Sequence, residues 1–301
     1  MRSTAHVLTT PRILTKATMN PDNKLGSGHF WFRLFKYSIY CLLAYNIWLF
    51  FLEDFGASAQ TFTDGVSWHN LVEAYSATVD TLAWVVLLLL FELETAVIPD
   101  ERLRGNLKWL LSAVRAICYF FIVYSFYGYL VKYGVVTNLV PFGIADVCTL
   151  VGSDYTYVNT LDDYFPLTPE VCSAMQGQGL QQIAGTQIIG TQDQLDLAEA
   201  LALTDVINAA DWLVVVAFLE IEVFLQLKDK LTARLLRLNK AIKLMLYSVL
   251  LGCAIYWGID GDFLDFWDAF LWLVAFVFIE MNIFEWHAET AESEAVASGQ
   301  S

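Results

Sequence analysis

Apolar residues are gathered into long runs, and six of these runs are long enough to cross a bilayer as helices, which takes about 20 residues. The runs are Phe35–Phe55, Tyr75–Ile98, Lys108–Lys132, Val206–Leu227, Lys240–Ile259 and Phe266–Trp286. Short polar turns join the second run to the third and the fourth to the fifth, whereas a long polar stretch separates the third from the fourth. The pattern predicts an all-α integral membrane protein with six transmembrane helices and a small external loop module.

The same pattern divides the chain into five regions. They are a cytoplasmic N-terminal tail (1–29), helices 1–3 (30–132), the external loop module (133–205), helices 4–6 (206–287) and a disordered cytoplasmic tail (288–301). The N-terminal tail lacks the apolar core of a secretory signal, so the first span is expected to be an uncleaved anchor.

Composition agrees with a membrane protein, since 57% of the residues are hydrophobic and only 16% are charged. The formal net charge of −15 argues against a nucleic-acid partner, which would require basic patches. Apart from Lys132, every lysine and arginine lies in residues 2–36, 102–108, 115 or 228–243. Because cytoplasmic loops are enriched in basic residues, these patches predict that both termini are cytoplasmic. A bacterial inner membrane is the expected location.

Acidic residues follow the opposite distribution, and 19 of the 32 lie in three stretches at the predicted external ends of the spans. These stretches are Glu53–Asp80, Asp146–Asp211 and Asp260–Asp268. The acids either keep the loops soluble or form a negative vestibule that concentrates cations.

The external loop module (133–205) is too long to be a bare connector, so it is expected to have its own structure and is a possible docking surface for a membrane or periplasmic protein. Cys148 and Cys172 lie in it on the oxidising side, which predicts a disulfide between them. Thr191 and Gln194 are spaced as a capping box, so the fourth helix is expected to begin well outside the bilayer.

A motif repeats in the three even-numbered spans. Its form is an Asp or Asn, then Trp four residues later, Glu eight residues after the Trp, and a Glu or Asn two residues after that. The three copies begin at Asp80, Asn208 and Asp268. The odd-numbered spans share a base followed four residues later by Tyr, at Lys36, Arg115 and Lys243. These shared positions predict three similar two-helix hairpins in a pseudo-threefold bundle.

The first two motif positions have a structural interpretation, in which the Asp or Asn marks the outer start of a helix and the Trp belongs to the interfacial aromatic belt. The glutamates need another explanation. Glu92 lies roughly 18 Å along the helix from Asp80, which places it inside the inner leaflet. An acid at that depth requires a partner or an aqueous cavity. Glu92 and Glu94 are two residues apart, so they cannot share one helix face.

The candidate residues for binding a cation or proton therefore come from the third and fourth motif positions. They are Glu92, Glu220, Glu280, Glu94, Glu222 and Asn282, with Lys36, Arg115 and Lys243 as counter-charges. In one explanation each glutamate pairs with the base of its own or a neighbouring hairpin and fixes the bundle register. In the other, Glu92, Glu220 and Glu280 form a ring around a cavity and bind or relay cations or protons.

Searches for catalytic and cofactor motifs find no phosphate-binding or dinucleotide-binding loop, no zinc-ligand spacing and no nucleophile elbow. We therefore expect no enzyme activity, no metal and no cofactor. The sequence predicts a transporter-like or channel-like bundle that handles a monovalent cation or a proton. The alternative is a non-transporting membrane subunit or scaffold, in which the ion pairs are structural and residues 133–205 bind a partner. The oligomeric state is not predicted.

Overall fold

The computed structural model describes residues 27–62, 65–98, 105–227, 233–260 and 262–276, and most of them are helical. The helices are α1 (Ser27–Thr61), α2 (Leu71–Ala74), α3 (Ser76–Glu92), α4 (Asn106–Val136), α5 (Pro169–Met175), α6 (Gln192–Leu227), α7 (Ala233–Asp260) and α8 (263–276). A π-helical turn, Leu93–Val97, continues α3. All except α2 and α5 are long helices of the bundle.

Among the residues that the structure describes, four helices are long and apolar enough to cross a membrane. The qualifying segments are Phe30–Thr61, Asn106–Val136, Gln192–Ile221 and Arg237–Asp260. The second predicted span corresponds to α3, which has 17 residues before its π-helical turn. The sixth predicted span is described only as far as residue 276, within α8. A membrane protein is thus supported, while the six spans and the three-hairpin repeat remain predictions.

Side-chain hydrogen bonds to backbone N–H groups fix the starts of α3 and α6. At α6 the predicted capping box is confirmed, since the Thr191 N–H donates to Gln194 Oε1 at 3.0 Å and the Gln194 N–H donates to Thr191 Oγ1 at 3.4 Å. At α3 the carboxylate of the buried Asp54, in α1, accepts from the N–H and the hydroxyl of Thr78 at 2.9 and 2.6 Å. These bonds satisfy donors that a helix start leaves free.

The core of the bundle contains buried apolar residues from α1, α3, α6, α7 and α8, among them Leu43, Val215 and Leu271, which are fully buried. A second contact brings α3 and α4 close together at Gly128. A Cβ atom built at Gly128 would lie 2.9 Å from Ser76 Cβ, so only glycine fits there without a shift. Small residues permit this kind of close helix contact in membrane bundles.

An inserted module, residues 137–191, connects α4 to α6 and contains a five-stranded sheet. Its strands are β1 (Leu139–Pro141), β2 (Thr156–Val158), β3 (Tyr164–Pro166), β4 (Leu180–Ile183) and β5 (Ile188–Thr191), in the order β1-β4-β5-β2-β3. The pairs are antiparallel except β2 with β5, which is parallel. The all-α fold class is therefore wrong for this part of the chain. The sheet has a simple physical basis, because the backbone N–H and C=O groups of neighbouring strands satisfy one another's hydrogen bonds.

The inserted module has two apolar contacts. Its own small core includes Val147, Ile189 and Cys172, and Cys172 forms a disulfide with Cys148 across a Cα–Cα distance of 5.0 Å. A second cluster joins the sheet to the ends of α4, α6 and α7, and Leu161, in the loop between β2 and β3, is buried in it. The module is thus packed onto the bundle through a shared core.

Candidate ion-binding site

The three tryptophans of the sequence repeat meet in the centre of the bundle. The ring centroids of Trp84 and Trp212 are 5.8 Å apart, those of Trp84 and Trp272 are 6.2 Å apart, and those of Trp212 and Trp272 are 6.4 Å apart. The three sides are nearly equal, so the rings form a triangle with one member from each of α3, α6 and α8. The Trp positions of the three motif copies thus lie together, while the three-hairpin repeat remains a prediction.

The interpretation of these tryptophans as an interfacial belt is wrong. Trp212 and Trp272 retain 8% and 7% of their accessible surface and belong to the bundle core, and Trp84 packs against the same core. Their depth along the helix was compatible with an interfacial position, but their direction is inward. Each ring meets two others on the bundle axis instead of lipid headgroups.

One turn from the tryptophan triangle, towards the inserted module, a polar cavity of about 50 Å³ lies among the helices. The first residues of the three repeats, Asp80, Asn208 and Asp268, all line it, and Trp212 and Trp272 lie along the same wall. Each of α1, α3, α4, α6, α7 and α8 contributes a lining residue. The residues assigned to helix starts from the sequence therefore converge on one interior site.

Acidic side chains dominate the lining of the polar cavity, where one lysine, Lys132, faces six carboxyl groups. The six are those of Glu53, Asp80, Asp162, Asp205, Asp265 and Asp268. If all six were ionised, the lining would carry five uncompensated negative charges. Such a concentration of like charge away from bulk water is unfavourable unless protons or cations neutralise it.

The single base of the cavity is bound by the inserted module. Lys132, near the end of α4, donates to Asp162 Oδ2 at 2.5 Å. Asp162 lies in the loop between β2 and β3, next to the buried Leu161. Through Asp162 this loop contributes to the lining of the cavity. Burial and the neighbouring Asp162 also raise the pKa of the Tyr164 hydroxyl, which lies beyond the loop.

Neutral donors face the carboxylates on the two aspartates of the repeat. Asn46 Nδ2, in α1, donates to Asp268 Oδ1 at 2.7 Å, so this polar residue bonds across helices. Trp84 and Tyr129 present donors to Asp80, and Trp272 presents one to Asp268. In these two cases the donor is a tryptophan of the triangle, and the aspartate lies one turn away on the same helix.

Two lining atoms are buried and lack a hydrogen-bond partner of good geometry. They are Asn208 Oδ1, an acceptor, and Trp257 Nε1, a donor on a side chain that is 97% buried and faces Asp205. A buried donor and a buried acceptor on one wall fit a hydrated cavity, because water can satisfy both. A volume of about 50 Å³ accommodates a very few water molecules.

Two acids in the turn and first helical residues before the sixth predicted span, Asp262 and Asp265, have raised pKa values. Burial, followed by the carboxylates of Asp262, Asp205 and Glu53, raises the pKa of Asp265 well above its ordinary value of 3.8. Burial also raises the pKa of Asp262, and the carboxylate of Asp162 contributes. Both shifts have the sign expected when a charged carboxylate is costly.

The glutamates predicted from the sequence lie elsewhere, and the two described members of the predicted ring have different surroundings. Glu92 is buried, and its Oε2 lies 2.6 Å from Lys36 Nζ, with both side chains 7% exposed. Tyr37 and Tyr40 donate to the same carboxylate at 3.2 and 3.5 Å. Glu220 is exposed and accepts from Tyr119 at 2.8 Å. Neither glutamate is among the residues that line the polar cavity.

Glu94 forms an ion pair with Arg115 of α4, whereas its neighbour Glu92 is directed to α1. This confirms that the two acids point to different helices. The bases thus pair once within a predicted hairpin and once with a neighbouring one. Lys243 is half-buried in α7. The side chain of Glu222 and all of Glu280 and Asn282 lie outside the described residues.

Several residues of the polar cavity were not assigned a role from the sequence, namely Glu53, Lys132, Asp162, Asp205 and Asp265. One signal was available for Lys132, since it is the one base outside the four basic patches. Asp80, Asn208 and Asp268 were identified by their repeat, but their shared interior position was not predicted. The acids at Glu53, Asp205 and Asp265 carry no repeat signal.

Within the described ranges, no three histidine, cysteine, aspartate or glutamate side chains are close enough to hold a metal ion. No family model matches the chain, and no curated protein or solved structure is significantly similar to it.

Proposed function

We propose that this chain is a multi-pass membrane protein that binds and transfers protons, and that the polar cavity is its proton-binding site. The observation that carries the proposal is the excess of six carboxyl groups over one ammonium group around a space of about 50 Å³. We also propose that the membrane is a bacterial inner membrane with both termini in the cytoplasm, so that the cavity lies towards the external side.

Electrostatics argue that the cavity stores protons. Two like charges 4 Å apart repel by about 4 kcal/mol at an effective dielectric constant of about 20. The summed repulsion of several such pairs around one lysine exceeds the free energy of unfolding of a typical protein, which is about 5–15 kcal/mol. Some carboxyl groups must therefore be neutral, and they can exchange protons through the few water molecules that the cavity can hold.

The size and ligand geometry of the cavity favour a proton over other ligands. Small-molecule sites usually have about 300–1,000 Å³, so organic substrates are too large for this space. A metal ion needs several acidic or imidazole ligands directed at one point, and no such group exists among the described residues. Protons need only single carboxyl groups and a hydrogen-bonded path between them.

The test is proton movement into liposomes that contain the purified full-length chain and a pH-sensitive dye, driven by an imposed membrane potential. We expect Asp80→Asn and Asp268→Asn to reduce the flux about tenfold or more, equivalent to about 1.4 kcal/mol of barrier. Asp193→Asn, on the exposed start of α6, makes the same chemical change outside the cavity and should leave the flux unchanged.

Infrared spectroscopy provides a readout that does not depend on transport. The carbonyl stretch of protonated carboxyl groups should persist in the wild type near neutral pH and should weaken in Asp80→Asn and Asp268→Asn. The proposal is wrong if the wild type moves protons no faster than protein-free liposomes, or if it shows no protonated carboxyl groups.

The second candidate function is a non-transporting membrane subunit that uses the inserted module as a docking surface. The buried pair of Lys36 and Glu92 favours it, because a closed, dry ion pair fixes helix register without providing a path for ions. In that case infrared spectra would show protonated carboxyl groups while the liposomes showed no proton flux. Recovery of a membrane or periplasmic partner bound through residues 137–191 would then support the docking role.

A further inference from the structure

We infer that Trp84, Trp212 and Trp272 form the permeability barrier of the bundle, which closes the polar cavity on the side away from the inserted module. This inference rests on the proposed proton-binding function and assigns the residues that prevent protons in the cavity from leaking to the opposite side.

The position of the tryptophan triangle is the first argument. Each tryptophan follows a lining residue of the cavity by four positions, which is about 6 Å along the helix axis. Trp212 and Trp272 themselves line the cavity. The triangle therefore forms the wall through which any path along the bundle axis must pass.

The tightness of the triangle is the second argument. Centroid separations of 5.8, 6.2 and 6.4 Å are contact distances for aromatic rings, so the three indoles fill the axis. Trp212 also contacts Phe276 at 4.7 Å, one turn further along. At least two layers of aromatic rings thus separate the cavity from the remainder of the bundle.

The surroundings of the triangle supply the third argument, since its neighbours are apolar. Leu43, Leu88, Val215 and Leu271 are buried in the same cluster, each with 3% or less of its surface exposed. Water wires do not form readily in such a layer, and apolar constrictions are known to block ions by dewetting. A proton held by Asp80 or Asp268 therefore has no aqueous route past the rings in this conformation.

The barrier also has a direct link to the acids that it confines. Trp84 presents a donor to Asp80, and Trp272 presents one to Asp268. A change in the protonation of either aspartate alters the strength of that electrostatic interaction. The rings that close the path are thus coupled to the occupancy of the site.

The experiment measures passive proton leak without an imposed membrane potential, in liposomes that contain the full-length chain, which separates it from the potential-driven flux of the proposed function. Trp84→Ala should raise the leak about tenfold, because the missing ring leaves a gap that water can enter. Trp84→Phe keeps an apolar ring and should remain tight. Trp109→Ala, at a position of α4 that is 79% exposed, is the matched control for loss of a tryptophan and should also remain tight.

Correct folding is checked by gel filtration in detergent and by the intact disulfide of Cys148 and Cys172. If Trp84→Ala does not fold, Trp272→Ala at the equivalent position decides the question. The inference is overturned if a folded alanine variant leaks no faster than the wild type, or if Trp84→Phe leaks as fast as Trp84→Ala.

Failure of the barrier and failure of the proposed function give different results. Absence of the infrared signal from protonated carboxyl groups in the wild type would reject the proton-binding cavity. A wild-type signal that Asp80→Asn does not change would reject it as well. A normal infrared signal together with tight alanine variants would reject only the barrier.

Discussion

Lys132 of α4 and Asp162 of the inserted module form an ion pair at 2.5 Å, and they join the two parts of the protein beside the polar cavity. Their side chains are 18% and 13% exposed, so most of each is shielded from water. Lys132 is also the one positive charge among the residues that line the cavity. The pair therefore connects the docking of the module to the charge balance of the site.

We expect Lys132→Met to destabilise the protein by about 2–3 kcal/mol, because it leaves Asp162 and its neighbours without a counter-charge. Thermal unfolding in detergent measures the effect. Lys108→Met removes an exposed lysine from the same helix and should change the unfolding temperature little. Equal effects of the two substitutions would show that Lys132 has no special role.

The two ion pairs of the repeat's basic position differ in burial, so they should differ in strength. Lys36→Met should cost about 3 kcal/mol, since Glu92 then remains buried and unpaired. Arg115→Met should cost less than about 1 kcal/mol, because its pair with Glu94 is substantially exposed at 37% and 24%. Unfolding temperatures of the two variants provide the comparison, and a larger loss in Arg115→Met would contradict this ranking.

The raised pKa of Asp265 predicts a pH dependence of stability. The folded state holds the proton of Asp265 more tightly than the unfolded state, where the pKa is near its ordinary value of 3.8. The free energy of unfolding should therefore fall as the pH rises above about 4, until the pH passes the raised pKa. Asp265→Asn should flatten this slope and increase stability at the alkaline end.

Unfolding temperatures measured across that pH range test the prediction for Asp265. Asp193→Asn, at an exposed position, controls for the loss of one carboxyl group. A wild type whose stability rises with pH over this interval would contradict the predicted sign.

Close packing at Gly128 predicts a steric effect of the smallest substitution. Gly128→Ala should destabilise the bundle by about 1–3 kcal/mol, since the added Cβ would lie 2.9 Å from Ser76 Cβ and 3.2 Å from the Val72 carbonyl oxygen. Gly134→Ala, two turns along the same helix, has open space around it and should be neutral or slightly stabilising. If both variants unfold at the same temperature, the contact between α3 and α4 is looser than described.

Glu220 distinguishes the cavity from the glutamate ring that the sequence suggested. Glu220→Gln keeps an acceptor for the hydroxyl of Tyr119, so the fold should survive. Because Glu220 does not line the cavity, we expect normal proton flux in liposomes, in contrast to Asp80→Asn. Loss of flux in Glu220→Gln with normal flux in Asp80→Asn would show that the glutamates, and not the cavity, form the proton-binding site.

Much of the helical framework could be predicted because a bilayer demands long apolar runs. The start of α6 was also predictable, since Thr191 and Gln194 form a local motif. The sheet was not, because β1–β5 have only three or four residues each and cannot show a clear alternating pattern. Its pairs also join distant residues, such as Leu139 with Ile183.

The site could be predicted only in part, for a related reason. Spacing identified Asp80 and Trp84 as repeated positions, but a helix that is apolar on all sides does not show which face points inward. Depth within a predicted span marks Glu92 as a candidate, whereas it does not mark the acids near the helix ends. Asp162 reaches the cavity only through the loop between β2 and β3, and no local pattern in the sequence reveals that contact.

The chain leaves α4 at Val136 and enters β1 at Leu139, and it passes from β5 directly into α6 at Gln192. Because these connections are short, the sheet links α4 and α6 rigidly. A molecule that binds the sheet and rotates it would also rotate the helices that carry Lys132 and Asp205. A displacement of the sheet would therefore also displace Asp162 and its neighbours in the proposed proton-binding cavity.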